Sequence, residues 1–346
     1  LGISLTIKEK WIYSRIKILA IFSSDSSGKN AQDLIGPIPL DLKRHTEAKV
    51  WAVGGGKGGV GKSLITANLS IGLALMGYKV VSIDLDLGGA NLHTCLGVPI
   101  PERTLSDYLS RKILNIKDIV TPTPIPNLSI ISGAQDDLGM ANLKNMHKNK
   151  ILSKLTELDA QYILVDLGAG TANNTLDFFL SSDQGILAVL PEPTSIENTY
   201  RFIKSVYYRR LKMIEEFLEI TPLIDQVMNS KLSQMESAPV DLIIKVQELN
   251  SEKGRLLEEE MQKFRPTLIM NQVRGQADID IGFSMKTVCK RYFGIDLDYV
   301  GYLDYDASVW QSVKKRRPLV LEFPHSKLVH HFDKIVHRLL NIDHKV

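Results

Sequence analysis

The clearest chemistry in this 346-residue chain lies in one run, Gly56-Lys57-Gly58-Gly59-Val60-Gly61-Lys62-Ser63. Its spacing is that of a G-x-x-x-x-G-K-[ST] phosphate loop. Glycines are required because the backbone from Gly56 through Leu64 must curl with its N–H groups turned inward at phosphate oxygens, where a Cβ would obstruct the approach. Lys62 brings a point charge to the β- and γ-phosphates, and Ser63 offers a hydroxyl to Mg²⁺. A helix starting at the loop's end adds its N-terminal dipole. Two further positions carry carboxylates that suit the same chemistry. Asp84 and Asp86 leave the run Val80–Asp84 at i and i+2, and Tyr162-Ile-Leu-Val-Asp166 is an apolar run ending in a single aspartate, placed to hold Mg²⁺ through a water. Each aspartate alone is a common strand ending; in this order behind the loop they form a set.

These residues need a scaffold that brings strand ends to one edge. From Lys49 onward, short apolar runs alternate with amphipathic stretches. The runs are Val50–Gly54, Val80–Asp84, Leu128–Ile131, Tyr162–Asp166, Ile186–Leu190, Thr267–Asn271 and Tyr299–Tyr302; the amphipathic stretches include Ser63–Met76, Lys150–Leu158, Ile196–Leu218 and Ile279–Tyr292. The alternation predicts a doubly wound, mostly parallel α/β sheet with helices on both faces. Two segments stand outside that plan. Residues 1–46 read as a poorly ordered leader ahead of a single phosphate-loop domain, 47–346. Residues from about 212 to 265 are charged, poor in glycine and divided by Pro222 and Pro239, which predicts a helical hairpin inserted in the domain.

With a second lysine directly after the first glycine, Lys57-Gly-Gly-Val-Gly-Lys-Ser63 resembles the deviant Walker A loop of the MinD/ParA family of ATPases. Ile83-Asp-Leu-Asp-Leu-Gly-Gly-Ala-Asn91 is similar to that family's switch I, and Leu167-Gly-Ala-Gly170 to its switch II. Pro191-Glu-Pro-Thr-Ser195 and Gly301-Tyr-Leu-Asp-Tyr-Asp306 resemble the FlhG/FleN branch. The likeness runs over residues 49–341 apart from the insertion. It implies a P-loop NTPase of the SIMIBI, MinD-like type that binds ATP and Mg²⁺, forms an ATP-dependent homodimer and hydrolyses ATP slowly under an unknown protein activator. By the same resemblance, Lys57 reaches across the dimer to the partner's phosphates, Asp86 orients the attacking water, Asp84 supports the Mg²⁺ shell, and Asn91 belongs to the switch. Asn271, ending Leu268-Ile-Met-Asn271, matches the adenine-reading residue. The implied role is spatial or numerical regulation, of flagella or of the division site.

Composition narrows the alternatives. With 44% hydrophobic and 23% charged residues the chain is of ordinary globular type, which excludes disorder along most of its length. Eight Lys/Arg against five Asp/Glu in residues 1–50 account for the whole net charge of +3, so the body is balanced. A ParA-like positioning protein that binds DNA without sequence preference is therefore the weaker reading, with Lys314-Lys-Arg-Arg317 its one candidate basic run. An Mrp-type iron–sulfur carrier needs a C-x-x-C pair, whereas Cys95 and Cys289 are far apart. A catalytically silent regulator conflicts with intact Lys57, Lys62, Asp86 and Asp166. A cytoplasmic place is expected, with peripheral contact at the inner face of the plasma membrane. Ser326–Leu340 carries an apolar stripe that suits either a core-packing helix or an interfacial one.

Overall fold

The computed structural model describes residues 48–86, 89–133, 145–155, 157–229 and 238–343. The expected leader, 1–46, lies outside these residues, as does Leu87-Gly88 in the switch-like turn. The first strand, β1 (Lys49–Gly54), leads through the glycine loop into helix α1 (Lys62–Leu75). Then follow β2 (Val80–Asp84), β3 (Thr121–Pro122), β4 (Leu128–Ile131), α2 (Asn145–Leu155), β5 (Tyr162–Asp166), α3 (Asn173–Leu180), β6 (Gln184–Val189) and α4 (Pro193–Phe217). Three helices come next, α5 (Thr221–Asn229), α6 (Pro239–Leu249) and α7 (Ser251–Gln262). The chain closes with β7 (Thr267–Val273), α8 (Gln276–Phe293), β8 (Asp298–Asp304), α9 (Ala307–Lys314) and α10 (Lys327–Asp343). Eight strands form two runs of neighbours, β3-β4-β2-β5 and β1-β6-β7-β8, in which β3 is antiparallel to β4 and the other pairs are parallel. This is the mostly parallel α/β sheet expected from the alternation. The two-residue β3 is an addition too short to leave a periodic signal.

The chain groups into two compact units interleaved along the sequence. One holds Ser63–Asp166 and Asp306–His337. Its strands β2 and β5 are buried along their whole length, as continuous apolar runs in a parallel sheet require. They pair in register from Val80↔Tyr162 to Asp84↔Asp166, so the two aspartates end side by side. Helix α1 buries Ile65, Leu69 and Leu73, and Gly72 lets α10 approach: a Cβ there would sit 2.8 Å from Val336 Cγ2. The apolar residues of α10, Leu328, Val329, Phe332, Ile335, Val336, Leu339 and Leu340, are all buried. Of the two uses the stripe allowed, the helix makes the core-packing one.

The other unit holds Trp51–Lys62, Leu167–Tyr305 and the chain from Arg338. Strands β1, β6, β7 and β8 run parallel within it. Phe179 of α3 lies over two strand glycines, where a Cβ on Gly185 would come within 2.6 Å of its ring. Its ring meets Phe202 of α4 edge-on at 5.2 Å. A bidentate ion pair from Arg209 to the buried Asp177 ties α4 to α3. The segment expected as a helical insertion holds the end of α4 followed by α5, α6 and α7. Pro222 and Pro239 fall in the first turns of α5 and α6, where proline's missing N–H is harmless. Asn250 alone joins α6 to α7, accepting from Lys253 N–H as the N-cap. The Tyr207 hydroxyl donates to Pro239 O at 2.9 Å and pins this hairpin to α4.

Candidate functional site

In the second unit the glycine loop is built by positive backbone angles and close contacts. Gly59 and Gly61 have φ of +78° and +93°, the left-handed region that only glycine enters without strain. A Cβ on Gly61 would lie 2.3 Å from Asn271 Nδ2, and one on Gly56 2.0 Å from Asn198 O. A Cβ on Gly58 or Gly59 would meet nothing within 4 Å. The loop is thus braced on its outer side and open along the backbone between its ends, with the buried Lys62 at the start of α1. This is the cradle a phosphate group fits.

Asn271 braces that loop. Its Nδ2 donates to Val60 O at 2.8 Å and its Oδ1 accepts from Gln272 N–H at 2.9 Å, in a buried position two residues before the end of β7. The amide that the resemblance matches to the adenine-reading residue thus also supports the phosphate loop. The loop after β5 hangs from the same region, with Leu167 N–H donating to Val53 O and Gly170 N–H to Gly55 O.

The Lys57 side chain reaches the start of α4. Its Nζ donates to Thr194 Oγ1 at 3.3 Å and lies 3.7 Å from Glu192 Oε2, with the lysine side chain 41% exposed. Glu192 and Thr194 belong to Pro191-Glu-Pro-Thr-Ser195, whose backbone is itself closed by Leu190 N–H donating to Ser195 Oγ at 3.0 Å. The sequence marked this segment only as a family likeness. Its contact with Lys57, 135 positions away in the chain, had no local signal.

In the first unit, Asp84 and Asp166 stand at adjacent strand ends. The Thr66 hydroxyl of α1 donates to Asp166 Oδ1 at 3.3 Å. Thr66, three residues after Ser63, was not singled out from the sequence; its place one turn into α1 beside a strand-ending aspartate is a tertiary fact. Ser63, Thr66 and Asp166 are hard oxygen donors of the kind Mg²⁺ takes. Asp84 is buried and organises the chain after β2, its Oδ1 accepting from Asp86 N–H at 3.0 Å and its Oδ2 from Leu92 N–H at 3.1 Å. Burial raises its pKa to about 6 against these backbone donors, and the neighbouring Asp86 charge adds to the rise. Asp86 is half-buried and nearer solvent, while Asn91 is exposed and donates to Gly89 O. His93, nearby in sequence, is buried, and burial together with the Arg316 charge lowers its pKa. Of the basic run that the weaker, DNA-binding reading would use, Lys315 and Arg317 both pair with Glu322. Burial raises Cys95 and Cys289 to about 12, so both are thiols at neutral pH. Among the described residues no helix is long and apolar enough to cross a membrane.

A family profile described as "AAA domain" matches residues 48–220, half of the chain. The antiactivator FleN of Pseudomonas aeruginosa is 27% identical over 282 residues, 81% of this chain and 81% of that protein. The septum site-determining protein MinD of Helicobacter pylori is 35% identical over 159 residues, 45% of this chain and 58% of the relative. Among solved structures, the septum site-determining protein MinD complexed with Mg-ADP from Pyrococcus horikoshii superposes with a TM-score of 0.54 at 21% identity, over 86% of this chain and all of that one. The chain belongs to this AAA-domain family, as a MinD/ParA member close to FlhG and FleN. That family is one of P-loop ATPases.

Proposed function

We propose that this protein is a MinD/FlhG-like ATPase that works as an ATP-dependent dimerisation switch in the placement or number of a cellular structure, flagella or the division site. The names of its relatives, an antiactivator and a septum site-determining protein, support that range of roles. The observation that carries the switch is the position of Lys57. Its ammonium group sits half exposed against Glu192 and Thr194. A lysine stationed this way is available to a second nucleotide site, that of a partner copy.

In this reading the ATPase region spans 47–346 with the helical insertion as an appendage. The loop amides and Lys62 hold the phosphates, and Ser63 and Asp166 hold Mg²⁺, supported by Thr66. When bound, Mg²⁺ neutralises charge on the phosphate oxygens. Asp84 keeps the segment carrying Asp86 in shape through two backbone N–H groups. Asp86 orients a water for attack on the γ-phosphorus; the bond to the ADP oxygen breaks, and phosphate, ADP and one proton leave. Lys57 of the opposing copy stabilises the charge that develops, as an arginine finger does in trans. Turnover is slow because this set is complete only in the dimer, and a protein activator sets its pace.

The test is mass by light scattering after size exclusion, with Mg–ATP and with Mg–ADP. Asp86→Ala should be a dimer in ATP and a monomer in ADP, without hydrolysis. Lys57→Ala should bind nucleotide as a monomer and lose turnover. Normal ATP turnover by Lys57→Ala would remove the trans-lysine mechanism.

A further inference from the structure

At the N-terminal ends of β6, β7 and β8 lies a groove of about 810 Å³, a size typical of small-ligand sites. It belongs wholly to the second unit, at the strand ends opposite those that lead into the phosphate loop. Three guanidinium groups from distant parts of the chain line it: Arg210 of α4, Arg265 just before β7 and Arg338 of α10. Each donates to one backbone carbonyl, Arg210 Nη2 to Glu260 O, Arg265 Nε to Gln262 O and Arg338 Nη1 to Val300 O. A guanidinium has five N–H donors. Among the described residues none of the three lies in an ion pair; of the three acids of the lining, Glu259 pairs with Arg255 and Asp298 with Lys286, and Asp183 stands at the groove as well.

Among the described residues, Arg210 Nε and the Tyr299 hydroxyl are buried without a hydrogen-bond partner, the Tyr299 ring end lying against Gly282 of α8. Phe264 sits 6.0 Å from the Arg210 guanidinium and packs edge-on against Phe179, so a flat apolar surface adjoins the cations. Lys263, also lining the groove, is held to Glu260.

We propose that this groove binds a small organic molecule carrying two phosphate groups and a planar ring. Phosphate matches the guanidinium fork with paired N–H···O bonds, and the ring rests on Phe264. The α7 end of the insertion forms one wall, which gives the extra helices of residues 212–265 a binding role. None of these residues belongs to the nucleotide site, so this site and the ATPase reading stand or fall separately.

The probe is adenosine 3′,5′-bisphosphate, titrated calorimetrically into the full chain whose phosphate loop is already filled with Mg–ADP. Saturable binding is expected, unchanged by Lys62→Ala. Arg265→Glu, at an exposed position, should weaken it by roughly tenfold or more, the scale of a lost charged hydrogen bond. Arg338→Gln should act in the same direction, and ADP affinity should be unaltered in both variants. Absence of saturable binding, loss of binding in Lys62→Ala, full affinity in both Arg265→Glu and Arg338→Gln, or equal competition by citrate would each overturn the proposal. A melting temperature for every variant separates loss of the site from loss of the fold.

Discussion

Strands β1, β6, β7 and β8 carry cationic chemistry at both ends, and the two ends are built in opposite ways. Beyond the C-terminal end of β1, the working surface is backbone: a glycine run with left-handed Gly59 and Gly61, braced by Asn271 and by the start of α4. At the N-terminal ends of β6, β7 and β8, the surface is side chain, with three arginines from three separate elements around one groove. A backbone cradle needs consecutive residues of one type and is therefore visible in the primary structure. Convergent side chains can come from anywhere, and no spacing announces them.

Substitutions within the loop should break this contrast first, and by the largest amount. Gly61→Ala forces a Cβ to 2.3 Å from Asn271 Nδ2 at φ +93°. The backbone strain alone is on the order of 1–3 kcal/mol, so the unliganded protein should melt several degrees lower and bind ADP at least about tenfold more weakly. Gly58→Ala meets open space and should leave melting unchanged while weakening ADP binding, because its Cβ enters the cradle. Equal melting temperatures for the two variants would show that bracing by Asn271 does not shape the loop.

A second, intermediate effect concerns two buried titratable groups of the other unit that act in opposite senses. The folded pKa of Asp84 is raised from 3.8 to about 6. Its contribution to stability is complete below 3.8 and is lost as pH rises through about 6. The folded pKa of His93 is lowered from 6.5. Its contribution is present above 6.5 and is lost as pH falls through the lowered value. Denaturant unfolding of the nucleotide-free protein between pH 4 and 7.5 should therefore show partial cancellation. Asp84→Asn should make stability climb more steeply with pH, and His93→Gln should flatten it. Slopes that change in the same direction in both variants would contradict the burial of one of the two.

The smallest effect is expected at Lys57. Its contact with Glu192 is half exposed on both sides and is worth at most about 1 kcal/mol. Glu192→Gln with Thr194→Val should release the lysine and change basal ATP turnover by no more than about fivefold, read in dilute protein where dimer formation limits the rate. An unchanged rate at every concentration would make the contact incidental.

Much of the fold was legible because its signals are local. Buried parallel strands need unbroken apolar runs, and the runs ending at Asp84 and Asp166 were bounded correctly to the residue. β6 begins two residues before its expected start because Gln184, a polar residue, opens the strand in a buried position. β7 continues two residues past Asn271, through Gln272 at positive φ. The helical character of the described part of residues 212–265 was recognisable from its charge and its prolines. The segment's docking on α4 through Tyr207 was not, since a tyrosine in a helical stripe looks the same in any environment. The last helix shows the same division, because its stripe specified an amphipathic helix and only the packing of Val336 on Gly72 specified the core as its partner.

By itself the sequence determined the phosphate loop, the order of strands and helices, and the aspartates at strand ends, because each rests on residues adjacent in the chain and on short-range backbone geometry. Only the tertiary structure decided the remaining contacts. It turned Asn271 onto Val60, set Lys57 against Glu192 and Thr194, gave Asp166 the hydroxyl of Thr66, and gathered Arg210, Arg265 and Arg338 around one groove. Those contacts join residues separated by tens to hundreds of positions. Their energies come from burial and complementary charge across the packed fold, which no stretch of sequence encodes on its own.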